Sequence, residues 1–120
     1  MPYIDGFMAA VPVDNRAAYT DWLKDQHAIF KEYGADAIVD AWEDDVPPGE
    51  VTSMHKAVAA KDGECVAFSW IMWPDKVTRD AGWDKMMNDP RMSPENAPMP
   101  FDGKRLIYGG FAPLLMTGQS

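Results

Sequence analysis

Runs of apolar residues, separated by short polar stretches, divide the chain into four predicted strands and two predicted helices. The strands are expected at residues 3–13, 35–42, 64–73 and 105–116. In the first helix, apolar residues recur three or four positions apart, which is typical of a helix with one buried face. Asp14 or Asn15 is its candidate N-cap, and Gly34 suits the position after its end. Pro74 and Asp75 precede the second helix, at about 76–87.

The remaining segments give weaker patterns. Residues 52–60 are ambiguous, with Thr52 as a candidate cap for one or two helical turns. Residues 88–103 are rich in proline and are expected to be irregular.

The order strand, helix, strand, strand, helix, strand is that of the ferredoxin-like βαββαβ fold. We therefore predict an α+β, ferredoxin-like domain over residues 1–120, with a four-stranded antiparallel sheet and both helices on one face. The opposite face of the sheet is then bare. If that face is apolar, something must cover it.

The third strand carries no charged side chain on either face from residue 65 onward. Alternation places two sets of side chains on opposite faces: Val66, Phe68, Trp70 and Met72 on one, and Cys65, Ala67, Ser69, Ile71 and Trp73 on the other. We expect the bulky first set to lie under the helices and the smaller set to face outward. A second subunit would cover it, giving a homodimer through the open sheet faces, arranged as a dimeric α/β barrel.

Glycines recur in the first and last strands, in "DGF" at 5–7 and in "FDGKRLIYGGF" at 101–111. Glycine weakens a strand unless the backbone must coil sharply or come close to another group. Gly6, Gly109 and Gly110 therefore predict a close approach, or room for a cavity, beside these two strands.

Composition and charge exclude some classes of binding partner and indicate the cellular compartment. The formal net charge is −8, which argues against nucleic acid and against an anionic membrane surface. The single cysteine, Cys65, allows no internal disulfide and suits a reducing compartment. Because the N-terminus has no basic region of a secretory signal, we expect a cytoplasmic protein.

Several motifs resemble one family. "YIDGF", "FSWIMWP", "RDAGWDKMMNDPRM" and "MPFDGKRLIYGGF" occur in the order typical of the YbaA-like family of uncharacterised bacterial proteins. That family is a domain of unknown function placed in the dimeric α/β-barrel superfamily. The resemblance implies a ferredoxin-like dimer. It implies no activity, and no catalytic residue can be transferred from it.

His27 and His55 are the only histidines, so a general base or a metal site would most simply use them. Their spacing matches no metal motif, and a structural role is the favoured interpretation. The acidic turn at 43–50 lacks the pattern of a calcium loop and is interpreted as solvated. We therefore expect no metal and no cofactor.

Residues 77–92 form the most unusual element, because neither side of the predicted helix is cleanly apolar. Arg79 or Asp80 is either bonded to neighbouring backbone, the favoured interpretation, or placed at the mouth of a pocket. Strand aromatics are usually core or interface residues, and the alternative is a platform for a planar ligand. The candidate ligand-binding residues are His27, His55, Ser69, Trp70, Trp73, Arg79, Asp80 and Tyr108.

Three functions remain open from the sequence. The first is binding of a small apolar or aromatic molecule in a largely apolar pocket, either between sheet and helices or between the facing sheets of a dimer. The second is an enzyme of the cofactor-independent oxygenase or isomerase kind, using a histidine or an aspartate. The third is a structural or regulatory dimer without ligand chemistry. An enzyme needs a titratable group at an enclosed cavity, and a binder needs the cavity with few polar groups.

Overall fold

A computed structural model describes residues 1–118. Its strands and α-helices are, in chain order, β1 (Tyr3–Pro12), α1 (Arg16–Glu32), β2 (Ala37–Trp42), α2 (Met54–Ala57), β3 (Glu64–Trp73), α3 (Lys76–Met87) and β4 (Ile107–Phe111). Short 3-10 turns occupy Val13–Asn15, Pro90–Met92 and Gly103–Arg105.

The four strands form one sheet in the order β2-β3-β1-β4, and every neighbouring pair is antiparallel. Helices α1 and α3 pack on one face of this sheet, where Ile29 and Phe30 meet Ile71 and Trp73. The predicted α+β, ferredoxin-like fold is confirmed. Within residues 1–118, no helix is both long enough and apolar enough to cross a bilayer.

The helix ends follow local chemistry. Gly34, with a φ of +109°, follows the end of α1 and confirms the predicted glycine position. The Asp75 carboxylate accepts the Thr78 backbone N–H at 2.7 Å and caps α3. At α2 the cap is Ser53 rather than the predicted Thr52, because the Ser53 hydroxyl accepts the Lys56 N–H at 3.0 Å.

The prediction of which β3 side chains face the helices was wrong. Ala67, Ser69, Ile71 and Trp73 lie beneath the helices, whereas Phe68, Trp70 and Met72 line the opposite face. The physical reason is complementarity, since large rings from the helical layer need small residues opposite them. The one large residue on this side, Trp73, fits because α3 presents Gly82 to it. A Cβ at Gly82 would lie 2.9 Å from the Trp73 ring.

The face opposite the two long helices is only partly covered. Near α2, Val58 buries Ala10 and Val66. The rest is an apolar, uncharged surface, which we call the open face. It is lined by Ile4, Met8, Phe68, Trp70, Met72, Ile107 and Phe111.

The last strand is shorter than the predicted 105–116. Arg105 belongs to a 3-10 turn, where its guanidinium is bonded to Glu64. After Phe111, Pro113 has no N–H to donate to a neighbouring strand. The start of β2 is likewise Ala37 and not residue 35.

Of the three strand glycines, Gly110 marks the close approach that was predicted. A Cβ there would overlap Tyr3 Oη and lie 2.9 Å from Arg79 Nη2, on the helix side of the sheet. Gly6 and Gly109 are partners across β1 and β4, and the Phe111 ring lies over both at ordinary contact distance.

Candidate functional site

A cavity of about 650 Å³ lies between the sheet and the helical layer. Its floor is formed by β1, β2 and β3, and its walls by α1 and α3. Residues 88–106, which we call the covering segment, cover part of its outer side. Their contributions are Met92, Pro94, Ala97, Met99, Phe101, Gly103 and Leu106. The size is in the range of small-molecule sites.

One end of this cavity holds a buried ion pair. Arg79 Nη2 donates to Asp5 Oδ1 at 2.7 Å, and Arg79 Nε lies 3.2 Å from both oxygens of Asp5. The indole N–H groups of Trp73 and Trp83 donate to Asp5 Oδ2 at 2.9 and 2.8 Å. Because Asp5 thus accepts bonds on both oxygens, this cluster is satisfied without a ligand.

The Arg79 guanidinium also has partners other than Asp5. Its Nη1 donates to Asp80 Oδ1 at 3.0 Å, and its guanidinium lies over the Tyr3 ring. The hydrogen bonds to Asp5 raise the pKa of Arg79 above its usual range. Arg79 therefore lines the cavity as a paired cation that holds α3 to β1.

A second polar group occupies the α1 side of the cavity. His27 on α1 lies with Nε2 at 2.5 Å from Asp40 Oδ2 on β2. Asp40 faces Ser69 across the β2–β3 register, so the three side chains come from three adjacent elements. All three line the cavity.

Tyr19 and Gln26, both on the inner face of α1, complete this polar group. Tyr19 is 6% exposed, Gln26 is 5% exposed and Ser69 is 8% exposed. Burial, and after it the Asp40 charge, raises the pKa of Tyr19 well above its usual value. Its hydroxyl therefore stays protonated over the physiological range.

The structure brings four of the eight predicted residues to this cavity: His27, Ser69, Arg79 and Tyr108. Tyr108 stands at its rim, 74% exposed, with its ring stacked on Phe7 at 6.2 Å. Trp73 lies beneath α3 with no exposed surface. Trp70 lies on the open face.

His55 and Asp80 lie away from the cavity lining. His55 Nε2 is 2.9 Å from Glu43 Oε1, which also accepts the Val66 N–H. That backbone bond is the main cause that lowers the pKa of Glu43. Asp80 is paired with Lys76 at 3.1 Å on the surface of α3.

Sequence reasoning missed Asp5, Gln26 and Asp40. A signal was present for each one. Asp5 and Asp40 are single acids inside apolar strands, "YIDGF" and "AIVDAW", and Gln26 lies seven residues after Tyr19 on the buried face of α1. A polar residue at a core position of a strand or helix would therefore have identified this site better than the aromatics did.

Both ends of the covering segment are fixed by charged groups. At its start, Arg91 is bonded to Glu32 and donates to Asp89 Oδ2 at 2.7 Å, and Asp89 accepts the Tyr33 hydroxyl at 2.6 Å. At its end, Arg105 donates to both Glu64 oxygens at 2.6 and 2.8 Å. These contacts hold the segment over the cavity.

The polar groups of the cavity do not form a metal site. Across residues 1–118, no three His, Cys, Asp or Glu side chains come together in a way that suits a metal ion.

Comparison with known proteins gives a family and relatives. Residues 2–103 match the family described as "Protein of unknown function (DUF1428)". The "Uncharacterized protein YbaA" of Escherichia coli (strain K12) is 50% identical over 115 residues, covering 96% of this chain and 98% of that protein. The proteins of the same name from Escherichia coli O157:H7 and Shigella flexneri match equally well. These matches confirm the resemblance drawn from the sequence motifs.

Proposed function

This chain belongs to the DUF1428 family of proteins of unknown function, and from its own geometry we propose that it binds a small molecule in the cavity between sheet and helices. The observation that carries the proposal is the lining of that cavity. Aromatic and aliphatic side chains surround a few buried polar groups, among them Gln26 and Ser69. This is the composition of small-molecule sites in general.

The methionines allow a direct test with naphthalene as the probe. Met92 and Met99 line the cavity, whereas Met8 and Met72 line the open face. With methionine methyl groups labelled by ¹³C, naphthalene is expected to shift the signals of Met92 and Met99 saturably and to leave the other two in place. Single Met→Leu variants assign the four signals.

A filling variant completes this test. Ala97→Trp places a ring into the cavity from the covering segment and is expected to abolish the shifts, while Ala57→Trp, at an exposed position of α2, retains them. Shifts confined to Met8 and Met72 would contradict the proposal. No shift at all would favour the third function, a structural dimer.

A second candidate function, catalysis in the same cavity, is favoured by the His27–Asp40 pair. A carboxylate that holds an imidazole is the usual arrangement of a general base. Such an enzyme would exchange C–H protons of a bound substrate with solvent. Incubation of 2-tetralone in heavy water, followed by NMR, tests this. Exchange by the wild type that Asp40→Asn abolishes, with binding retained, would establish catalysis.

We also propose that two copies associate through their open faces. Phe68, Ile107 and Phe111 expose 41–61% of their surface there, and in the described part of the chain none of the residues lining this face is charged. A second copy related by a twofold axis offers the same uncharged surface and would remove both from water.

Sedimentation at micromolar concentration measures this association. Phe68→Lys is expected to give monomers. Val77→Lys, at an exposed valine of α3, is expected to sediment like the wild type. A monomeric wild type would overturn the dimer and leave the cavity proposal intact.

A further inference from the structure

Four polar side chains at the cavity make none of the side-chain hydrogen bonds found within residues 1–118. One is the Trp22 indole N–H, a buried donor with no partner among these residues. The others are the Tyr19 hydroxyl, the Gln26 amide and the Ser69 hydroxyl, whose residues are more than nine-tenths buried. Buried polar groups are normally paired, because leaving one unpaired costs about 1–3 kcal/mol. An orphaned indole N–H beside three further unpaired groups indicates a bound molecule with polar atoms of its own.

The charges around the cavity restrict that molecule. Among residues 1–118, Arg79 is the only arginine in the lining and no lysine belongs to it, and Arg79 is already paired with Asp5 and Asp80. Two carboxylates, Asp5 and Asp40, belong to the same lining. A carboxylate or phosphate ligand would meet these acids without an unpaired cation to compensate its lost hydration. The site therefore suits an uncharged molecule.

The packing of the aromatic rings in the cavity indicates the shape of the bound molecule. Phe30 meets Trp83 edge to face at 5.3 Å, and Phe7 lies 6.3 Å from Trp83 on the other side. At the far end, Phe101 meets Tyr19 edge to face at 5.7 Å. All of these rings line the cavity. Rings prefer offset-stacked or edge-to-face contacts with other rings, so a planar ligand gains most from this lining.

The His27–Asp40 pair leaves one ring nitrogen for a ligand. The ring Nε2 lies against the Asp40 carboxylate, which can only accept, so the Nε2–H donates to it. Nδ1 makes none of the side-chain hydrogen bonds found within residues 1–118. A ring nitrogen here and an amide and hydroxyls nearby are complementary to a hydroxyl group, which both donates and accepts.

Building on the proposed function, we infer that the ligand is an uncharged aromatic compound with a hydroxyl group. The hydroxyl forms one hydrogen bond with His27, which Asp40 orients, and another with Gln26 or Ser69. The rings of the cavity hold the planar part of the molecule. The recognised chemistry is thus a phenol or a naphthol, and not an aromatic acid.

Three probes with one ring system test this inference: 2-naphthol, naphthalene and 2-naphthoate. Their affinities are measured by titration of the ¹³C-methyl signals of Met92 and Met99. We expect 2-naphthol to bind about tenfold more tightly than naphthalene, as one or two added hydrogen bonds would give. We expect 2-naphthoate to bind more weakly than 2-naphthol.

Variants separate recognition of the hydroxyl from general damage. Asp40→Asn and Gln26→Leu are expected to reduce the ratio of the naphthol and naphthalene affinities toward one. Asp36→Asn, an exposed residue four positions before Asp40, is expected to retain the ratio. Because both probes use the same ring pocket, a merely structural effect would weaken both and leave the ratio unchanged.

The outcomes distinguish the two proposals. Equal binding of naphthol and naphthalene would overturn the hydroxyl inference and leave the proposed function standing. Tightest binding of 2-naphthoate would overturn the charge argument in the same way, and so would an unchanged ratio in Asp40→Asn. Failure of all three probes to bind would overturn both proposals.

Discussion

Arg79 on α3 and Asp5 on β1 form an ion pair across the interface between helix and sheet, with Nη2 at 2.7 Å from Oδ1. Asp5 is 2% exposed, so its charge depends on this arginine and on two indole N–H groups. A buried charge that loses its partner is costly, and removal of one partner typically costs about 3–5 kcal/mol. The pair therefore makes stability and cavity shape depend on the same residues.

The first prediction follows from this pair. Asp5→Asn keeps the volume and removes the charge, so Arg79 loses its main partner. We expect the free energy of unfolding in urea to fall by about 3 kcal/mol. Asp80→Asn is the control, because Asp80 lies on the surface beside Lys76, and its midpoint should stay close to that of the wild type. Equal midpoints for the two variants would contradict the prediction.

The second prediction concerns the adjacent glycines of β4. In Gly110→Ala the added Cβ would displace Tyr3 and Arg79, which lie within 2.9 Å of its position. We expect a loss of about 1–3 kcal/mol, as for other overpacked sites. In Gly109→Ala the Cβ meets only the Phe111 ring at 3.5 Å, an ordinary contact. Its thermal midpoint should equal or exceed that of the wild type, and a reversed order of the two variants would refute this account.

The fold could be predicted because short sequence patterns indicate each strand and helix, and their order along the chain indicates the topology. The spacing of the apolar residues predicted helix α1, and Gly34 predicted where it ends. The set of β3 side chains that packs under the helices could not be predicted. Both sets are uncharged, and alternation alone does not say which of them faces α1 and α3. That choice depends on the rings that α1 and α3 bring inward, such as Phe30 and Trp83. It is a property of packing between distant segments.

The site was predictable only in part for a similar reason. His27 was a candidate because histidines are rare in this chain, but its partner Asp40 lies 13 residues away and on a different element. Likewise, Arg79 was noticed while Asp5, 74 residues away, was not. Single residues can be nominated from the sequence, whereas the pairs that give them a role form only when β1, β2 and the helices assemble.

The third prediction uses pH. The bidentate bond from Arg105 is the main cause that lowers the pKa of Glu64 to about 2, from its ordinary value near 4.5. A carboxyl group whose pKa is lowered by folding stabilises the fold above the unfolded pKa, and this contribution is lost as pH falls through the folded pKa. Glu64→Gln should therefore melt below the wild type at pH 6, with the difference shrinking below pH 4.5 and vanishing near pH 2.

Glu50→Gln controls for loss of an acid as such, because Glu50 is exposed in the turn before α2. Its midpoint should follow the wild type throughout the pH range. A difference between the wild type and Glu64→Gln that persists unchanged at pH 2 would show that the contact acts by packing and not by charge.

The fourth prediction tests whether the cavity hydroxyls are unpaired before a ligand binds. Tyr19→Phe removes a cavity hydroxyl that makes none of the side-chain hydrogen bonds found within residues 1–118, and it keeps the ring. Its free energy of unfolding without ligand should therefore stay within about 1 kcal/mol of the wild type, or rise. Tyr33→Phe is the matched control, because the Tyr33 hydroxyl donates to Asp89 at 2.6 Å, and its urea midpoint should fall. If Tyr19→Phe falls as far as Tyr33→Phe, the Tyr19 hydroxyl is satisfied in the empty protein. The case for a polar ligand then rests on Trp22, Gln26 and Ser69.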